Sequence, residues 1–483
     1  MIKLLSDPRW RDGIMAGISL LIAGVLFAFF RSHGFDDPYI TYRYAANLAS
    51  GQGFVYNPGL AILSTTTPLY ALLLAPAAAS GLDLPLVSNL ISCLSLGAGG
   101  LAIWRLGLAW DDPLAGLVGA LLYPLFPLLL ITIGAETSFV LALILWAFVA
   151  ASGARWRVVA VLLGLATMAR ADTALAGLVL GLAILAGHVR LGRLAWRDLP
   201  WSAAGIYGLL IAPWVIFAQA FYGSPIPVTL AAKRYQSMIV GSRSFRQGLL
   251  DHVGELWALP AYRLLLILAV IGVGHSLLRR RAALGLLGWV GLYGLAYAWL
   301  GVTGYFWYYG TICLGLIVAA ALGVSAVAAV AQRLARYRAA GALGLALATV
   351  VLGAEVGDMA RLAAQPDPRL AFYHEVGDWL RLHTPPDASV GTLEVGLIGY
   401  YSQRPMIDFA GLIQPDVAMQ FDAQHGYLEV ARWAMERYRP SYLVLQDVNL
   451  PLLQTSPDLA TRCTDLAEFP GPLTIYQCDW SSP

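Results

Sequence analysis

The sequence predicts a polytopic α-helical membrane protein of about eleven transmembrane helices, followed by a carboxy-terminal extracytoplasmic α/β domain. Three observations point there. Of 483 residues, 58% are hydrophobic and only 12% charged, with a mean hydropathy of +0.66, a balance no soluble globule carries. Apolar runs near the length of a bilayer crossing recur from residue 14 to residue 357. After Asp358 the chain turns polar, and helical and strand-like patterns alternate over a length that suits one domain. The net charge of +2, with no dense basic block, sets nucleic acid aside as a partner.

Taken in order, the expected spans are 14–30, 85–108, 114–132, 137–153, 158–170, 172–189, 201–222, 261–278, 283–300, 305–328 and 340–357. The first follows Lys3, Arg9 and Arg11 and has no small-residue cleavage site after Phe30, so it reads as retained. Basic residues flanking short loops stay cytoplasmic. Arg105, Arg155, Arg157, Arg190, Arg193, Arg197, Arg279 to Arg281, Arg333, Arg336 and Arg338 all fall on the side of the amino terminus. The expected protein is thus multi-pass in the plasma membrane, with its amino terminus cytoplasmic. Residues 1–357 form the membrane domain, with a first outer loop over 31–84, and residues 358–483 form the extracytoplasmic domain. Pro68 to Ser80 is apolar but short; as a span it would invert every downstream arginine cluster, so it reads as an interfacial helix.

The first outer loop carries the most distinctive run, from Phe35 to Tyr70. Asp37 before Pro38 reads as the N-cap of a short amphipathic helix lying in the interface, ended by Gly51. The carboxy-terminal region predicts helices over 372–383 and 427–438, and strands over 389–393, 406–409 and 442–446. Cys463 and Cys478 fall on two further strands joined by the turn 470–472; outside the cytoplasm they are a disulfide candidate, though spacing leaves two free thiols open. Cys93 and Cys313 lie within spans and read as packing residues.

Ionisable residues gather on one side. Asp36, Asp37, Arg43, Glu136, Arg170, Asp172, Lys233 and Arg234 all come out on the outer face, most of them at span ends, where such groups are functional candidates. Structural roles stand beside this: Glu136 can offset a helix N-terminus, and Arg170 can simply pair with Asp172. Lys233 stands out because Lys3 is the only other lysine. Tyr308 belongs to an aromatic run, Tyr305 to Tyr309, that an interfacial belt also explains. Two acids, several bases and a membrane plane suit group transfer from a lipid phosphate, a carboxylate taking the acceptor proton while cations steady the departing phosphate. Because Asp37 is the better placed cap, Asp36 is expected to be the free acid and general base.

These residues also carry a resemblance. Asp36 to Tyr44 (DDPYITYRY) and Gly51 to Gly59 (GQGFVYNPG) resemble the first outer loop of GT-C polytopic glycosyltransferases, especially the terminal arabinofuranosyltransferase branch with its RgtA/B/C/D-like relatives. In order follow GAETSFVLALI from Gly134, ARAD from Ala169, SPIPVTLAAK from Ser224 and DFAGLIQPDVA from Asp408. Ala171 and Val228 depart from the branch, which has proline and asparagine there. The resemblance implies inverting transfer of a sugar from a polyprenyl-phosphate donor to a glycan, glycolipid or protein hydroxyl in cell-envelope biosynthesis. Asp36 matches the acid regarded there as the base, Lys233 and Arg170 carry over as phosphate-binding candidates, and Arg43 joins them as an addition read from this sequence. No cofactor is certain; Asp36, Asp37 and Glu136 could hold a divalent cation. A membrane transporter, or another lipid-linked group transferase, is the alternative, but neither a repeated half nor midplane charges appear.

Overall fold

The computed structural model describes residues 8–190, 199–279, 281–334, 339–446 and 450–481. Lys3, Arg193, Arg197, Arg280, Arg336 and Arg338, used above for orientation, lie outside the described residues. Helix α1 (Pro8–Phe30) leads into the two helices of the first outer loop, α2 (Asp37–Ala49) and α3 (Pro68–Ala79). Then come α4 (Leu84–Ala109), α5 (Pro113–Leu122), α6 (Pro127–Leu130), α7 (Thr137–Ser152), α8 (Trp156–Ala169), α9 (Ala174–Arg190) and α10 (Trp201–Tyr222). The next segment folds as α11 (Val228–Gln236) and α12 (Phe245–Ala258), and α13 (Pro260–Leu278), α14 (Leu284–Leu300), α15 (Gly310–Leu334) and α16 (Ala339–Ala364) complete the helical part.

Among the described residues, seven helices are long and apolar enough to cross a membrane: α1, α4, α10, α13, α14, α15 and α16. Helices α5, α7, α8 and α9 occupy the other expected spans but are shorter apolar helices. The expected span 114–132 breaks at Tyr123–Phe126, where Pro124 and Pro127 deny the ladder its N–H groups. Close approach of small residues holds α13 to α15: a Cβ on Gly272 would meet the Ala319 carbonyl, and one on Gly323 the Leu268 carbonyl.

Helix α16 runs past residue 358 to Ala364, and α17 (Arg369–His383) opens the carboxy-terminal fold. There follow β1 (Val390–Thr392), α18 (Val395–Ser402), β2 (Met406–Asp408), α19 (Pro415–Ala418), α20 (Tyr427–Tyr438), β3 (Tyr442–Gln446), α21 (Pro457–Ala460), β4 (Cys463–Phe469) and β5 (Leu473–Cys478). The five strands form one mixed sheet in the order β2-β1-β3-β5-β4, parallel on the β2-β1-β3 side and antiparallel beyond. Cys463 and Cys478 face each other in register and are joined by a disulfide.

Helix α2 is covered by protein rather than open on one face. Its residues Pro38 to Ala45 are buried without a break, because the carboxy-terminal domain covers the side that would otherwise face water. Tyr39, Ile40 and Tyr56 share one apolar core with Val376, Val390 and Ile398. The first outer loop and the sheet domain are therefore packed as one body of side chains, and that packing decides where the acidic residues point.

Candidate active site

A cavity of about 380 Å³ opens where α2, α11 and the ends of α7, α8 and α14 converge. Each chemically active side chain has a local reason to be there. Lys233 sits in the last turn of α11, which starts after Pro225-Ile226-Pro227 and is tied to the first outer loop by Val228 N–H donating to the Leu63 carbonyl at 2.9 Å. Glu136 stands just ahead of α7, on a turn set by Gly134 at φ +98°, whose carbonyl accepts from both Tyr42 (2.5 Å) and Ser88 (2.6 Å). Arg170 ends α8, and a single 3-10 turn carries Asp172 back toward it.

The structure brings Asp37, Glu136, Arg170, Asp172, Lys233 and Tyr308 to this one cavity. Arg170 is the hub of its acid side: Nη1 lies 2.8 Å from Glu136 Oε1, Nη2 lies 2.7 Å from Asp172 Oδ2, and Nη2 also donates to the Tyr297 hydroxyl at 3.0 Å. Lys233 Nζ lies 3.4 Å from Asp37 Oδ2. Its ammonium is also held over three rings, Tyr305 and Trp307 at 4.9 Å and Tyr308 at 5.5 Å. Burial works against the charged lysine, but Tyr308 and Asp37 outweigh it and leave its pKa above the ordinary value, so the cavity keeps a cation. The Lys233 side chain is 9% exposed and that of Asp37 32%, so the acid is the partner open to the cavity.

Two expected site residues lie elsewhere. Asp36 is absent from the cavity wall; its Oδ2 accepts the Gly396 N–H at 2.8 Å and its Oδ1 the Leu397 N–H at 2.7 Å, at the start of α18. Burial, and then the nearby Glu394, hold its carboxyl well above the usual carboxylate range. Arg43 is buried and is also absent from the cavity wall: Nε donates to the Tyr56 carbonyl at 2.9 Å, Nη2 to the Arg404 carbonyl at 2.8 Å, and Nη1 to the Gly399 carbonyl. Asp37 does not cap α2 either; it lies inside the first turn, and Asp36 occupies the cap position without a side-chain capping bond. Of the two adjacent acids, Asp37 and not Asp36 therefore lines the cavity. Arg234, next to Lys233, is exposed and not among the cavity residues. Among the described residues no three His, Cys, Asp or Glu side chains are grouped to hold a metal ion, and both oxygens of Asp36 accept backbone N–H groups.

Sequence reasoning passed over several contributors. Thr41, Thr65 and Thr67 line the cavity as a hydroxyl triad, with oxygens 3.0 to 3.3 Å apart; the signal was the run Ser64 to Thr67 just ahead of Pro68. Leu412, from the loop after β2, closes the cavity from the carboxy-terminal side. That loop is fastened to α11 by Gln236, which donates to the Ala410 carbonyl at 2.8 Å and accepts from Tyr305 at 2.9 Å.

The whole chain has the GT-C fold. It is similar to the crystal structure of ArnT from Cupriavidus metallidurans bound to undecaprenyl phosphate, with a TM-score of 0.62 and 13% identity over 99% of this chain and 100% of that one. It is equally similar to the oligosaccharyltransferase AglB from Archaeoglobus fulgidus in complex with an inhibitory peptide and a dolichol-phosphate, at TM-score 0.62 and 13% identity, covering 98% of this chain and 75% of that one. An Archaeoglobus fulgidus oligosaccharyltransferase tethered to an acceptor peptide matches at TM-score 0.61 and 15% identity, over 99% of this chain and 75% of that one. ArnT and AglB are glycosyltransferases of the GT-C superfamily, and the likeness is one of that fold. Residues 361–480 match a family described as a domain of unknown function (DUF8728). No curated protein matches the sequence.

Proposed function

We propose that the protein is a glycosyltransferase that moves a sugar from a polyprenyl-phosphate donor to an acceptor hydroxyl at the outer face of the plasma membrane, with Asp37 rather than Asp36 as general base. One observation carries this: within a single cavity, a part-exposed carboxylate stands 3.4 Å from a buried, ring-caged lysine. Support comes from the fold, since neighbours that share it are described with undecaprenyl phosphate and dolichol-phosphate.

In this reading the acceptor oxygen attacks the anomeric carbon while the bond from that carbon to the phosphate oxygen breaks, inverting the centre. The acceptor proton passes to Asp37, and the bond electrons leave with the polyprenyl phosphate. Lys233 meets that growing negative charge, and Arg170, oriented by Glu136 and Asp172, stands second to it. Asp37 contributes by being oriented at the hydroxyl as it acidifies. The test is purified protein in lipid nanodiscs given radiolabelled polyprenyl-phosphate sugars together with an envelope glycan acceptor. Label should move to the acceptor with release of polyprenyl phosphate. A folded preparation that releases none from any donor class would sink the reading.

A further inference from the structure

Helix α18 is gripped at both ends by α2. At its start the two carboxylate oxygens of Asp36 take the N–H groups of Gly396 and Leu397, donors that a helix N-terminus leaves unpaired. Toward its other end the Arg43 guanidinium takes the carbonyls of Gly399 and Arg404. The signs match the helix dipole, acid at the positive end and base at the negative. Between the grips, Tyr56 donates to the Val395 carbonyl at 2.5 Å, and its ring lies 4.6 Å from the Arg43 guanidinium carbon. Glycine makes the contact possible: a Cβ at Gly396 would fall on the Asp36 carbonyl and carboxylate, and one at Gly399 on the Tyr56 hydroxyl. Asn57 adds a third fastening, exchanging hydrogen bonds with the Met406 carbonyl (2.8 Å) and N–H (3.0 Å) on β2.

We infer that Asp36 and Arg43 are positioning residues: by clamping α18 between them they make the carboxy-terminal domain part of the catalytic unit and aim the adjacent Asp37 at Lys233. The inference rests on the function proposed above. Asp36 and Asp37 are neighbours on one helical turn, so a carboxylate anchored to α18 fixes the rotation of α2 that turns the next side chain into the cavity. The same docking carries in Leu412 and the loop fastened by Gln236, so both the acid and the roof of the site depend on one domain contact. An acid facing the acceptor would keep its oxygens free; those of Asp36 are spent on backbone amides 360 and 361 residues away.

Gly396→Ala separates the two possible roles of Asp36. It removes no ionisable group and touches no cavity residue, yet its methyl must push Asp36 off the helix start. Gly396→Ala, Asp36→Asn and their double variant are compared for kcat and donor KM, with hydrogen exchange at residues 395–398 read in the same preparations. The clamp predicts that each single variant loses roughly 10²-fold in kcat, the cost of a misplaced group. Donor KM should change little, exchange at Leu397 should rise in both, and the double variant should be no slower than the worse single one. The inference is overturned if Gly396→Ala keeps wild-type kcat while Asp36→Asn is dead, or if the losses multiply. Should wild-type protein transfer no sugar, the proposed function fails instead. Unchanged exchange at Leu397 in Asp36→Asn would then remove the clamp as well.

Discussion

Lys233 shows how much one side chain can be asked to do. It is buried, paired with Asp37 and enclosed by three aromatic rings, so its charge is fixed in place before any donor arrives. Lys233→Ala should cost about 2.7 to 4 kcal/mol of transition-state stabilisation if the contact strengthens as phosphate departs. Lys233→Arg should recover part of this, because a planar fork keeps the charge but not the point geometry. Steady-state kinetics at saturating and limiting donor decide it; an alanine variant at the wild-type rate in both would make Lys233 a structural cation. A second residue-scale prediction concerns Asp408, fully buried under the loop after β2 and accepting the N–H groups of Ala410 (2.7 Å) and Ile413 (3.0 Å). Burial pushes its carboxyl up to about 7 against the backbone hydrogen bonds that pull it down. The folded state then holds a proton the unfolded chain has lost, so its contribution is fully present below about pH 4 and is lost as pH rises to about 7, up to roughly 4 kcal/mol. Relative to Asp408→Asn, the wild-type melting temperature should fall across that window; a constant difference would contradict the assignment.

At the scale of elements, the chain shows where sequence reading stops. Patterning gave the long apolar helices, the helices now seen at Arg369–His383 and Tyr427–Tyr438, and the strand Tyr442–Gln446, since each is a local period. It also gathered Asp37, Glu136, Arg170, Asp172, Lys233 and Tyr308 on one face, which they share in the structure. What it could not give was the choice between Asp36 and Asp37. Two adjacent carboxylates on a helix point about 100° apart, and which one faces the cavity is set by α18, far along the sequence. The surroundings of Arg43 were out of reach for the same reason: its partners are carbonyls in a domain no local pattern brings near. The β4–β5 hairpin offers an element-scale test, because the disulfide between Cys463 and Cys478 closes a short loop. Its removal should destabilise the domain by roughly 3 kcal/mol on the loop-entropy estimate. Thermal unfolding of Cys463→Ser with Cys478→Ser measures this, and mass spectrometry of unreduced peptides checks the link itself. Two separately alkylated cysteines in native protein would remove it.

For the whole molecule, the account requires that cavity, sheet domain and first outer loop share one side of the membrane. The arginine bias of the sequence leads us to expect that side to be the outer one. A thiol placed at Ser481 should react with an impermeant reagent applied to intact cells, while one at Ala282 should react only after permeabilisation; the opposite pattern would invert the site. The proposed function then rests on a division of labour between two neighbouring acids, Asp36 bound to the carboxy-terminal domain and Asp37 on the cavity wall. The most direct measurement is sugar transfer from a polyprenyl-phosphate donor by Asp37→Asn, followed in single-turnover mixing with donor prebound. The account predicts normal donor binding and a chemical step slowed by about 10² to 10⁴. A folded Asp37→Asn protein that transfers sugar at the wild-type rate would contradict it.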